Sequence, residues 1–336
     1  MKRALITGIT GQDGSYLTEF LLSQGYAVDG LTRNTQPANT TRLNHLLAGN
    51  GAQPPALRLH QGDLLSTRRL RALIEQVQPD EIYHLAAPSR PGPAAEPPDW
   101  RGDITVLGTL HLLEALRRSG TPAKFFHAAS AEIFGPAPPP QSETTPLAPA
   151  SRYAAAKGHA TRLTRIYRQR YGLFAANGIL FNHESIRRSN RYVSRKITQA
   201  VAAIATGEQY YLYLGNLNAR RDWGYAPDYV AAMWLMLQQP QADDFVIGSG
   251  QAYTVKDFVA AAFDYAGLDW QAHVRFDPRF YRPGETYCPQ ADIGKIGSVL
   301  GWRPRTCFQA LIRLMVDAEL KLKECAYQLT IDNRQL

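Results

Sequence analysis

"ALITGITGQDGSYLTEFLL", residues 4–22, decides how the rest of the chain is read. An apolar run ends in three glycines, Gly8, Gly11 and Gly14, and passes directly into an amphipathic stretch. Spacing of this kind is a weak sign by itself, and a simple chain turn competes with it. Set between a strand and a helix it reads as a dinucleotide-binding loop. Gly8 permits the tight turn, Gly11 lets backbone approach a pyrophosphate, and Gly14 allows the helix to pack closely. The helix N-terminus then favours the anion. With them, Thr10, Gln12 and Asp13 are candidate cofactor contacts.

Outward from this loop the apolar runs keep alternating with helical periodicity: strands over Arg3–Thr7, Tyr26–Thr32, Leu57–His60, Glu81–Ala87 and Lys124–Ser130. Helices are expected up to Gln24, over Thr67–Val77 and near Thr105–Ser119. This rhythm implies an α/β fold with a Rossmann-type, doubly wound parallel sheet. Two Pro-rich pieces, Pro88–Pro98 and Gly135–Pro146, follow strand ends and read as loops bordering a site, with inter-domain linkers as the alternative. Past Asn182 helices are expected over Arg195–Thr206, Ala226–Gln238, Val255–Ala266 and Phe308–Glu324. The chain thus divides into a dinucleotide-binding domain, 1–181, and a smaller, mostly helical substrate lobe, 182–336, with some elements crossing back.

Composition fits this picture. The 336 residues are 45% hydrophobic, enough for a substantial core, and no stretch has the roughly 20 apolar residues of a membrane span. With no signal-peptide pattern, a cytoplasmic protein is expected. Cys288, Cys307 and Cys325 are an odd number without metal-ligand spacing, which argues against a disulfide framework or a zinc site. The net charge of +8 is scattered and not interleaved with aromatics, so an anionic small molecule explains it at least as well as nucleic acid.

The end of the second strand, Leu31-Thr32-Arg33, separates two cofactors. An acid there would bond a ribose 2′-hydroxyl, whereas an arginine accommodates a 2′-phosphate. Asp29 falls inside the strand, so Arg33 is read as the phosphate contact and the cofactor as NADP. Asp63-Leu64 closes the next strand, either as an adenine contact or as a helix N-cap with an apolar anchor. Downstream, "SRYAAAK" places Tyr153 and Lys157 at i and i+4 on one helix face. The ammonium is expected to lower the phenol's pKa, so that Tyr153 takes a proton from a sugar hydroxyl while hydride leaves the same carbon.

Together these residues resemble the extended short-chain dehydrogenase/reductases, and within them the GDP-mannose 4,6-dehydratase family. The stretches that carry the resemblance are the glycine loop, "GILFNHES" at 178–185, "RRDWG" at 220–224, "DYVAAMWLMLQ" at 228–238, "RFYRPGE" at 279–285 and "LGWRPR" at 300–305. The resemblance implies a redox-neutral lyase acting on a GDP-sugar. Tyr153 would deprotonate the C4 hydroxyl as its hydride passes to NADP, and Glu132 would take the C5 proton. Ser130 and Glu132 would assist loss of the C6 hydroxyl, after which hydride returns to C6. It further implies cofactor contacts from Leu85, Ala86, Ala87, Ser89, Trp100, Lys157, His183 and Arg188. Ser89, Ser130, Glu132, Asn182, Lys196, Arg221, Arg282 and Glu285 would line the nucleotide-sugar site. A homodimer or homotetramer is implied as well.

The sequence departs from the family at several of these places. Ser130 stands for a Thr, Trp100 for a Tyr, Arg152 and Ile186 for prolines, and Pro88-Ser89-Arg90-Pro91 for a polar segment beside the sugar. Arg33 alone remains of a paired-arginine loop over 33–43. A dehydratase on a different hexose or heptose, a nucleotide-sugar reductase or epimerase, and a non-catalytic nucleotide-binding regulator therefore stay open as alternatives.

Overall fold

The computed structural model describes residues 1–47, 56–87, 101–281 and 288–332, with side chains absent from the description at 101–103 and beyond 325. Through the first half the order is β1 (Arg3–Thr7), α1 (Gln12–Ser23), β2 (Ala27–Thr32), α2 (Asn44–Leu47), β3 (Leu57–Gln61), α3 (Thr67–Val77), β4 (Glu81–His84) and α4 (Arg101–Ser119). There follow β5 (Lys124–Ser130), α5 (Arg152–Tyr171), β6 (Ala175–Leu180), β7 (Asn182–Glu184) and α6 (Val193–Ala205). The last third holds β8 (Leu212–Leu214), β9 (Arg220–Tyr225), α7 (Ala226–Gln238), β10 (Phe245–Ile247), β11 (Ala252–Thr254) and α8 (Val255–Tyr265). It closes with α9 (Trp270–His273), β12 (Val274–Phe276), α10 (Gly294–Leu300) and α11 (Phe308–Asp332).

Seven parallel strands run β10-β6-β5-β4-β1-β2-β3. The pleat sends alternate residues to opposite faces, and the sequence satisfies both. Ala4, Ile6, Tyr83 and Phe126 pack with Leu17 and Leu21 of α1 and Met233 and Met236 of α7. Their neighbours Leu5, Ile82 and Phe125 pack instead with Leu70 and Ile74 of α3, Leu112 and Leu116 of α4, and Tyr167 of α5. A sheet buried on both faces reads as near-continuous apolar runs, and these strands do.

The expected β4 overruns. Leu85 still donates its N–H to the Thr7 carbonyl at 3.1 Å, but residues 85–87 leave the ladder beside the glycine loop, whose tight turn occupies the neighbouring position. Beyond residue 181 helices predominate as expected, with six short strands between them among the described residues. β10 rejoins the main sheet, and α7 and α10 pack back onto it because their apolar faces complete that core. The remaining elements gather around a separate core, with Ile197 and Val201 of α6, Phe258 of α8, and Leu311 and Met315 of α11 about Trp223.

Candidate active site

The glycine loop is built so that side chains are excluded. Gly8 has φ +76°, and a Cβ there would lie 2.7 Å from the Ala86 nitrogen. A Cβ on Gly14 would lie 2.4 Å from the Gly8 carbonyl oxygen. Gly11, exposed, is the N-cap of α1 and brings no capping side chain to the first-turn N–H groups. A loop packed too closely on its own backbone for a Cβ at positions 8 and 14, leading into a helix N-terminus without a side-chain cap, fits a dinucleotide's pyrophosphate.

This loop is tied to the segment after β6. Gln12 donates from Nε2 to the His183 carbonyl at 3.1 Å and accepts from the Ser185 hydroxyl at 2.8 Å. His183 is held from both sides, Nδ1 against the Phe181 carbonyl at 2.7 Å and Nε2 against Asp13 Oδ2 at 2.9 Å. Burial alone would raise the Asp13 carboxyl, but His183 outweighs it and brings the pKa down to about 2. Burial likewise works against the imidazolium, yet Asp13 holds the His183 pKa above its ordinary value. The two form a half-buried ion pair binding loop to strand.

Other expected cofactor contacts surround this loop. Half-buried Thr10 offers its carbonyl to Arg42. Arg33 is exposed at the end of β2, while Asp29 is buried and bonded to His60 at 2.7 Å. Asp63 is exposed and accepts the Leu65 N–H at 2.8 Å, so it closes an Asx turn. The N-cap alternative for Asp63 fails, because the cap of α3 is Ser66 one turn closer. Leu64 is buried against Gly108 and offers its carbonyl to His111 at 2.9 Å. Leu85, Ala86 and Ala87 are half-buried beside Gly8. Ser89, Trp100, Arg282 and Glu285 lie outside the described residues.

The sheet brings the expected reactive groups together. Ser130 ends β5 and N-caps a short 3₁₀ turn, Ala131–Phe134, accepting the Glu132 N–H at 3.3 Å. Glu132 is exposed, and Ser130 also hydrogen-bonds the half-buried Tyr153. The expected lowering of the Tyr153 pKa is corrected here. Burial pushes the phenol well above its ordinary value, and the Glu132 carboxylate and Tyr192 add to it; Ser130 and Arg188 only partly oppose this. Lys157 is buried beneath the site and donates to the Ala128 carbonyl at 2.7 Å. Burial brings its pKa down to about 8 against the pull of Asp13.

Two histidines under this lysine escaped the sequence reading. Asn177 donates from Nδ2 to Asp244 and to the Thr161 carbonyl, so its Oδ1 accepts from His127 Nδ1 at 2.9 Å. His127 Nε2 is then a buried lone pair without a partner, and burial beside Lys157 lowers the ring's pKa to about 3. The Thr109 hydroxyl donates to the Thr105 carbonyl, which leaves it to accept from His84 Nε2, while Thr7 donates to His84 Nδ1 at 2.8 Å. Both rings are neutral by this bonding pattern. Nothing in strand periodicity separates them from core residues.

On the sugar side the expected residues are spread along three elements. Asn182, in β7, is half-buried and offers its carbonyl to the Tyr229 hydroxyl at 3.4 Å. Lys196, in α6, donates to the Tyr213 carbonyl at 2.6 Å and stands 3.3 Å over the Phe280 ring, at a cleft of about 510 Å³. Arg221, in β9, donates to the Arg220 carbonyl at 2.6 Å. Its neighbour Asp222, also unforeseen, is fully buried and accepts the N–H groups of Ser249, Gly250 and Ala291. Arg188 pairs with Glu184 at 3.0 Å and stacks 3.6 Å over Tyr192.

Comparison of the sequence with known proteins gives the family. The GDP-mannose 4,6 dehydratase family model matches residues 5–315. GDP-mannose 4,6 dehydratase 2 of Arabidopsis thaliana is 50% identical over 326 residues, covering 96% of this chain and 87% of that protein. The chain belongs to the GDP-mannose 4,6-dehydratase family. The human GDP-mannose 4,6 dehydratase is 43% identical, over 95% of this chain and 91% of its own. Among solved structures, a dTDP-glucose 4,6-dehydratase from Streptomyces venezuelae with NAD and TYD bound is 26% identical, with a TM-score of 0.78 over 94% and 96% of the two chains. A dTDP-glucose 4,6-dehydratase from Bacillus anthracis shares the fold at 20% identity and a TM-score of 0.82, covering 96% of this chain and 98% of its own. The GDP-mannose 4,6-dehydratase family model thus spans both the glycine loop and the Ser130, Glu132, Tyr153 and Lys157 constellation of this chain.

Proposed function

We propose that this chain is an NADP-dependent GDP-mannose 4,6-dehydratase, a hydro-lyase converting GDP-D-mannose to GDP-4-keto-6-deoxy-D-mannose. The observation that carries the reading is the match to that family along residues 5–315. The bound dinucleotide would supply a reversible hydride acceptor, so that no reductant is consumed. Gly8, Thr10, Gly11, Gln12, Asp13 and Gly14 hold its pyrophosphate and neighbouring ribose. Arg33 takes the 2′-phosphate, Asp63 and Leu64 the adenine, and Leu85 to Ala87, Lys157, His183 and Arg188 the nicotinamide end.

Tyr153 takes the C4 hydroxyl proton. A phenol whose pKa burial and Glu132 hold high is a weak acid and correspondingly strong base, so a nearby cation has to stabilise its ionised form. We assign that charge to Lys157, one helical turn further along α5 and hydrogen-bonded to the Ala128 carbonyl, while it stays protonated. Glu132, exposed at the mouth, removes the C5 proton that the C4 ketone acidifies and passes it to the C6 hydroxyl, which leaves as water with help from Ser130; C6 would then take back the hydride and C5 the proton held by Tyr153. Asn182, Lys196 and Arg221 bind the GDP portion, with Arg282 and Glu285 as further contacts. Among the described residues no helix is long and apolar enough to cross a membrane, and we place the enzyme in the cytoplasm. We also propose a homodimer through α4 and α5, where Leu107 and Ile166 lie exposed.

Incubating the purified protein with GDP-mannose and following the product by mass spectrometry tests this. Loss of one water without added NADPH is expected. A product of unchanged mass would make the enzyme an epimerase, and a stoichiometric NADPH requirement would make it a reductase.

A further inference from the structure

The segment between β2 and α2 carries a second arginine that the reading of the 33–43 loop passed over. It leaves the end of β2 at Arg33 and returns at Arg42, where the next residue, Leu43, is fully buried in the core. The Leu43 N–H bonds the Thr40 carbonyl at 2.7 Å, which fixes the backbone at this point. From there the Arg42 guanidinium reaches two carbonyls on different segments, donating to Thr10 at 3.2 Å and to Arg187 at 3.0 Å. Thr10 lies within the glycine loop; Arg187 precedes Arg188 in the segment after β7.

Nothing in the way Arg42 is charged explains its position. It is half-buried beside two more cations, Arg187, paired with Glu19, and Arg195, paired with Glu319. Among the described residues no carboxylate pairs with Arg42 itself. Burial, then Arg187 and Arg195, all disfavour its charged form. A cation held against such a balance at the lip of a pyrophosphate cradle is complementary to phosphate.

We propose that Arg42 is a positioning residue of the dinucleotide site: by joining the Thr10 and Arg187 carbonyls it holds the glycine loop against the 183–188 segment and sets the affinity for NADP. The proposal rests on the cofactor reading given above. A planar fork is needed, since a lysine ammonium at the same place is a point charge that cannot span both carbonyls in the same fixed geometry.

Titration calorimetry on cofactor-depleted protein, with NADP⁺ and separately with GDP, tests it in the wild type, Arg42→Met and Arg42→Lys. Arg42→Met should raise the Kd for NADP⁺ by about tenfold or more, as expected for loss of a charged hydrogen-bonding group, while the Kd for GDP stays at the wild-type value. Arg42→Lys should recover only part of the loss. An unchanged NADP⁺ affinity in Arg42→Met overturns the proposal. So does a parallel weakening of NADP⁺ and GDP, which would mark a general loss of structure. Full recovery by Arg42→Lys would overturn the bridging role. Because binding is read without turnover, a wild type that binds NADP⁺ but leaves GDP-mannose unchanged counts against the reaction proposed above and not against Arg42.

Discussion

The two walls of the site are built on opposite plans. On the glycine-loop wall the charged groups answer one another: Asp13 pairs with His183, Glu19 with Arg187, and Glu184 with Arg188. On the wall to which we assign the reaction Glu132 is exposed and Tyr153 half-buried, and Ser130 is shared between the Glu132 backbone and the Tyr153 phenol. Groups that bind are fixed by internal pairs, so losing one should disturb both architecture and affinity. The groups we assign to the reaction sit at the mouth of a finished scaffold, so losing one should disturb rate alone.

The sharpest way to break this contrast is Tyr153→Phe, the largest effect expected. Removing one hydroxyl should lower kcat by ~10²–10⁴-fold, the usual worth of a positioned acid–base group, with NADP⁺ affinity unchanged. Single-turnover kinetics beside a cofactor titration reads both. The pH profile belongs to the same test. As pH rises through about 8 Lys157 loses its proton, and the wild-type rate should fall over that range as the phenolate loses its counter-charge. A rate that keeps rising well beyond that range would separate Lys157 from the Tyr153 chemistry.

Next in size is Glu132→Gln. An amide keeps the shape of the 3₁₀ turn but cannot take the C5 proton, so loss of water should slow by about 10²-fold or more. Cofactor affinity and the midpoint of thermal unfolding should stay with the wild type, since the side chain is exposed. A variant that lost its cofactor would place Glu132 on the binding wall and erase the distinction between the two.

How much of this was legible follows from what each feature depends on. The sheet was, because parallel strands buried on both faces leave short apolar runs such as residues 4–6 and 245–247. The binding loop was, because only glycine satisfies the clashes at positions 8 and 14. The end of β4 was not: Leu85 to Ala87 are apolar enough for strand, and only the approach of Gly8 turns them out of the ladder. Arg42, His84, His127 and Asp222 were not legible either. Each acts through partners distant in sequence, as when Asp222 gathers N–H groups from residues 249, 250 and 291. The direction of the Tyr153 pKa was misread for the same reason. The i, i+4 spacing announces Lys157, but burial, with Glu132 brought in by a different element, sets the direction of the shift.

The smallest effect expected lies on the binding wall and tests whether its pairs carry stability. Asp13 is depressed to about 2 from an ordinary 3.8, so its contribution is present above pH 3.8 and lost as pH falls through 2. His183 is raised above 6.5, so its contribution is complete below 6.5 and lost as pH rises through the raised value. Both are charged between about pH 4 and 6.5, and there the wild type should exceed Asp13→Asn in unfolding free energy by about 1–2 kcal/mol. The gap should narrow as pH rises through the raised His183 value, where the imidazole loses its proton and neither protein holds an ion pair at this place. Lys157 titrates at about 8 and is itself pulled upward by Asp13, so the same two curves repeated on a Lys157→Met background isolate the Asp13–His183 pair. A gap that stays constant from acid to alkaline pH would mean that the Asp13 hydrogen bond to neutral His183 is enough, and the binding wall would then owe its rigidity to shape more than to charge.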